Sequence, residues 1–184
     1  MLRSIIAPVT IYMKRGSIEA KMVLQKGQRI AVMDLSGSIG LPHGFYAHDF
    51  IGSLADLGEY DVLYALLDSG GGSPADSWII FNFLKQPRQP RSSSLVLIIG
   101  DCSGDALLIA LGFDQILMRP EGLMGFQPLK FTRLPATRRV TQLMARLIAA
   151  RANCQIADVL AWIDKNRKFN AQECLARSLC DAIV

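Results

Sequence analysis

Histidine is scarce in this sequence: His43 and His48 are the only two among 184 residues. Chemistry that needs an imidazole must use one of them or do without. Both lie upstream of the segments with site-like chemistry, and we read them as a turn residue and a helix-surface residue. Cysteine occurs four times, at positions 102, 154, 174 and 180, with no CxxC pair. That pattern argues against a zinc cluster and a disulfide framework, and for reduced core thiols. No apolar run reaches the roughly 18 residues that span a bilayer. The first 24 residues mix apolar positions with Lys14, Arg15, Glu19 and Lys21, without the core or cleavage site of a signal peptide. We therefore expect a mature cytoplasmic chain with no membrane partner. Neither GxGxxG nor GxxxxGK[ST] is present, so no dinucleotide or Walker-type phosphate site is expected, and we expect no cofactor and no metal.

The formal net charge is +4. Much of the positive charge lies in Lys130, Arg133, Arg138, Arg139, Arg146 and Arg151. No aromatic interleaving or nucleic-acid motif accompanies these residues, so we assign them to a solvated or partner-facing surface rather than a nucleic-acid groove. Hydrophobic residues make up 51% of the chain. That is enough for one domain with a sizeable core, and it leaves apolar surface for subunit contacts.

Strand-like and helix-like segments alternate. "RIAVMDLSGSI" (29–39) reads as a strand entering a turn, and residues 41–60 read as largely helical. "DVLYALLDSGGGS" (61–73) is an apolar run ending in glycines, which suits a strand covered on both faces. "SPADSWIIFNFLKQ" is a helix with Ser73 as N-cap and Pro74 at its first position. "LVLIIG" (95–100) is a further buried strand and "SGDALLIALG" (103–112) a buried helix. A short strand and turn, a basic amphipathic helix (136–152), a second helix, and a helix–turn–strand ending follow. This is an α/β pattern with a mainly parallel sheet. We divide the chain into an N-terminal segment, 1–28, and a single domain, 29–184.

In such sheets ligands bind beyond the carboxyl ends of strands, and two strand ends carry unusual chemistry. At Gly70-Gly71-Gly72 the backbone can turn tightly and offer amide hydrogens to an anion, although a plain tight turn also explains three glycines. Ser103 stands where a strand meets a helix. Its oxygen can cap that helix. It can also serve as a nucleophile, with the Gly104 amide aimed at a developing oxyanion.

Together, in this order and about 30 residues apart, these features resemble the Clp protease proteolytic subunit and its relatives, signal peptide peptidase A and the crotonases. "LLDSGGGSPADSWIIFNFLK" resembles the family's strand, glycine loop and helix. "CSGDALLIALG" resembles its nucleophile helix, with Ser103 on the catalytic serine. "FDQILMRPEGLMGFQPL" and "NRKFNAQECLARSLCDAIV" resemble the segments that follow. The resemblance spans residues 29–184. It implies a ClpP/crotonase-like spiral of ββα units, assembled as trimers, hexamers or heptameric rings, with a peptidase site. It also implies an oxyanion and substrate-binding set of Gly71, Gly72 and Gly104.

The sequence departs from that pattern at the base. The family histidine falls on Phe126, which accepts no proton. The family aspartate falls near Asn166, which cannot hold an imidazolium by charge. Pro74 offers no amide to an extended substrate, and Asp105 puts a carboxylate near the expected oxyanion hole. The leading expectation is a catalytically impaired subunit of a homo-oligomeric ring that binds peptide or protein, alongside active sister subunits or an ATPase. A Ser–Lys peptidase related to signal peptide peptidase A is the first alternative, with Lys130 and Lys165 as candidate bases. A crotonase acting on an acyl-CoA thioester is the second; it would need carboxylates, and Glu121 and Glu173 lack matching context.

Overall fold

The computed structural model describes residues 11–15, 17–40, 42–86, 92–127 and 135–184. Within them one mixed sheet of nine strands is accompanied by six helices. β1 (Ile11–Arg15), β2 (Ile18–Gln25) and β3 (Gln28–Ser36) form an antiparallel meander. The β2–β3 turn is Lys26-Gly27, both with positive φ, the backbone twist that suits a two-residue hairpin. In β2, Ile18, Ala20 and Met22 are buried and Glu19 is exposed, so the residues before position 29 contribute to the core.

From β3 onward the ladder is parallel: β3 to β4 (Val62–Ser69), β4 to β5 (Ser93–Ser103), β5 to β6 (Gln115–Met118), and β6 to β9 (Ala182–Ile183). The crossovers carry α1 (Ala47–Leu57), α2 (Pro74–Lys85) and α3 (Ala106–Gly112). Ser73 caps α2, its Oγ accepting from the Asp76 N–H at 3.2 Å, and Pro74 opens the helix where its missing N–H costs nothing. α4 (Pro135–Ala152) buries Met144, Ala145, Ile148 and Ala149 along one face. α5 (Ile156–Asp164) and α6 (Ala171–Ala176) complete the helices.

One detail of the sheet positions the site. Between the pairs Leu67–Ile98 and Ser69–Cys102, β4 advances two residues while β5 advances four. This bulge bends β5 away from β6. Its last three residues pair instead with β7 (Leu123–Gly125), which pairs antiparallel with β8 (Lys168–Asn170). The Asp101 N–H released at the bulge donates to Asp68 Oδ1 at 2.8 Å.

The two faces of the sheet differ. Ala31, Met33, Leu35, Leu63, Ala65, Leu67, Val96 and Ile98 are fully buried. Their alternates Ile30, Val32, Val62, Tyr64, Leu66 and Leu95 share the opposite face in register and are only partly buried. The expectation that 61–69 is covered on both faces is corrected accordingly.

Candidate active site

Ser103 is the last residue of β5 and has 0% exposure. It does not cap the following helix: α3 starts at Ala106, and Asp105 occupies the cap position. The Ser103 hydroxyl instead donates to the Asp101 carboxylate, two residues back on the same face of the strand. A charge-assisted bond of this kind is stronger than one between neutral groups. Asp101 has a second partner, Lys168, whose Nζ lies 3.7 Å from its Oδ2.

Lys168 reaches this place through the ladder. Ser103 pairs with Gly125 across β5–β7, and Gly125 pairs with Lys168 across β7–β8. The three residues form one row on one face. A Cβ built on Gly125 would fall onto the Ser103 Oγ and lie 2.8 Å from its Cβ. Glycine at this position therefore leaves the space that the serine hydroxyl occupies. No motif marked Lys168 or Gly125, because the contact depends on how a three-residue strand pairs.

Phe126 follows Gly125 and turns the other way. It is fully buried, with its ring 5.4 Å from that of Trp162 and 5.2 Å from that of Phe169. With Met124 it lines a small apolar pocket beside Leu107, Ile116, Ile148 and Leu179. Its backbone N–H donates to the Arg167 carbonyl at 2.8 Å. Asn166 is exposed just past α5, with φ 51° and its N–H donating to the Ile163 carbonyl at 3.0 Å. Asparagine tolerates this left-handed conformation better than most residues, so Asn166 works as a helix terminator. Lys165 is the exposed residue that closes α5, and among the described residues no hydrogen bond or ion pair links it to Ser103. Lys130 lies outside the described residues.

The glycines differ in their surroundings. Gly71, with φ 91°, lies against the nucleophile-like turn: a Cβ there would meet the Ser103 carbonyl at 2.9 Å and the Asp105 nitrogen at 3.0 Å. Both its conformation and its space require glycine. Its N–H donates to Ser69 Oγ at 3.2 Å. Gly72 faces Ile39, with which it forms an isolated bridge. The Gly104 N–H donates to the Gly125 carbonyl at 3.0 Å.

The remaining candidates have other roles. His43 is an exposed turn residue with φ 65°. His48 stacks on Tyr46 and lies 3.4 Å from Asp49. Glu121 faces Arg119 at 3.8 Å, and Glu173 accepts from the Asn170 N–H at the start of α6. Burial, with a further contribution from Asp101, pushes the Cys102 thiol well above its ordinary value, so the neighbour of Ser103 is not a thiolate. Among the described residues no group of three His, Cys, Asp or Glu is arranged to hold a metal, and no helix is long and apolar enough to cross a membrane.

No family model and no curated protein matches this sequence. Solved structures do match in fold. ClpP1 from Listeria monocytogenes aligns with TM-score 0.70 and 18% identity, over 83% of this chain and 90% of its own. A point mutant of the same protein gives 0.71 and 16%, over 83% and 90%. A peptidase from Plasmodium falciparum gives 0.67 and 15%, over 83% of this chain and 94% of its own. The chain thus has a ClpP-like α/β fold, as the sequence resemblance implied.

Proposed function

We propose that this chain is a Clp-type serine-peptidase-like subunit with an impaired hydrolytic site, acting in a homo-oligomeric ring that holds peptide or protein. The observation that carries this reading is the state of two groups the chemistry needs. The Ser103 hydroxyl is solvent-inaccessible and committed to a carboxylate. The Gly104 N–H, needed for an oxyanion, is committed to the Gly125 carbonyl.

A carboxylate is a poor general base for a serine, because its ordinary value of about 4 lies far below neutral pH. The two positions that carry the imidazole and its orienter in the family hold an aromatic core residue and an exposed helix terminator. Ring assembly is supported by the half-covered apolar sheet face of Ile30, Val32, Val62, Tyr64, Leu66 and Leu95. A second copy, a sister subunit or an ATPase would each bury part of that surface.

Labelling with a fluorophosphonate serine-hydrolase probe, wild type against Ser103→Ala, tests the site, and light scattering on the same sample tests assembly. We expect no Ser103-dependent labelling on the timescale of an intact serine peptidase, and a mass that is a multiple of the protomer's. Fast labelling abolished by Ser103→Ala would refute impairment, and a monomer at micromolar concentration would refute the ring.

A further inference from the structure

The geometry points to Lys168 as a latent general base for Ser103, held off by the carboxylate of Asp101. The inference rests on the reading of Ser103 as a nucleophile position. It adds a cause for the impairment and a residue that could reverse it.

The row Ser103–Gly125–Lys168 spans two strand spacings, about 9.6 Å between outer Cα atoms. A lysine's four-carbon stem and a serine Cβ–Oγ bond cover most of that distance when the intervening residue has no side chain. Asp101 occupies the remaining gap. One carboxylate oxygen accepts from Ser103, and the other lies 3.7 Å from Lys168 Nζ. The carboxylate blocks the chemistry in two ways. It takes the hydroxyl hydrogen that the amine would have to accept. It also fills the gap between the hydroxyl and the amine. A second carboxylate, Asp68, faces the same bulge through the Asp101 N–H.

With the carboxylate removed, the Lys168 amine in its unprotonated form can approach Oγ. In reaction with a fluorophosphonate, the Oγ–P bond forms and the P–F bond breaks. The hydroxyl proton passes to Nζ, and fluoride leaves.

The test is the labelling rate of Asp101→Ala and Asp101→Val, each with and without Lys168→Met, with Ser103→Ala as blank. Both substitutions keep the backbone N–H that Asp101 gives to Asp68 and remove the oxygen that accepts from Ser103. Valine also suits a strand, so Asp101→Val serves if the alanine variant fails to fold. We expect a gain of about 10²-fold over wild type, the lower end of what a positioned base supplies, and its loss on adding Lys168→Met. Folded Asp101 variants that label no faster than wild type would overturn the inference. A gain that survives Lys168→Met would also overturn it, because Asp101 would then merely cover the serine. Fast labelling of the wild type would instead remove the impaired reading and the latch with it, whereas slow wild-type labelling without gain removes the latch alone.

Discussion

Replacing Gly125 by alanine tests the packing on which the site reading depends. The added methyl would fall onto the Ser103 Oγ, so the hydroxyl must first rotate out of its bond with Asp101. Rotation alone does not suffice, because the new Cβ would still lie 2.8 Å from the Ser103 Cβ and 3.5 Å from its Cα. β5 and β7 must then part by several tenths of an ångström in a buried ladder. Overpacking of this kind costs about 1–3 kcal/mol. For a chain of this size, about 2 kcal/mol corresponds to a fall in Tm of roughly 4–8 °C. The diagnostic is rescue by deleting the opposing side chain. Ser103→Gly combined with Gly125→Ala should recover most of the loss, less the roughly 0.5–1 kcal/mol backbone cost of a new glycine. Ser103→Ala should recover only part, since its Cβ remains. Calorimetry or chemical denaturation of the wild type, the three single variants and the two double variants gives both coupling energies directly. A neutral Gly125→Ala, or rescue by Ser103→Ala equal to that by Ser103→Gly, would refute the placement of Gly125 over the serine.

Other consequences follow from single residues. Asn166→Asp should leave fluorophosphonate labelling unchanged. Asn166→Val should lower Tm by several degrees, because a β-branched residue is strained at φ 51°; the two measurements together separate a catalytic role from helix termination. Ser73→Ala should cost about 1 kcal/mol by removing the cap of α2, and Ser73→Gly only a few tenths, as read by denaturant midpoint. Burial pushes the Cys174 thiol up to about 12, with Cys180 and Glu173 adding to the shift. A folded value above the unfolded one means this thiol's contribution is fully present below about pH 8.5 and is lost as pH rises toward 12. The decline of Tm across that window should be shallower in Cys174→Ala.

The parts of the fold that were legible in the sequence are those with local chemistry. α2 was readable because Ser73-Pro74 is a helix start in itself, and the parallel strands because their apolar runs end in glycine or serine. The division at residue 29 followed the span of the family resemblance, which leaves out β2, where charged Glu19 and Lys21 alternate with small or flexible apolar residues. Ser103 was identified as a special position, but its partner was not, since a strand that continues through the serine cannot be told from a helix cap at that spot. Lys165 and Lys130 entered only through the resemblance to signal peptide peptidase A. Lys168 did not enter, because its relation to Ser103 runs through two strand pairings 65 residues apart and a glycine whose role is to be absent. Likewise "VLYALL" does not show whether its second face is covered by this chain or by another.

The aromatic cluster beneath Phe126 has a practical consequence. Of the two tryptophans, Trp78 stacks on Phe81 at 5.3 Å in α2, and Trp162 sits edge-on to Phe169 at 5.1 Å in β8. Trp78→Phe would therefore leave a single-emitter protein whose fluorescence reports how closely β8 is held against the end of β7. Lys168 belongs to that same short strand, so a shift in Trp162 emission would signal movement of the amine's backbone without any probe attached near the serine.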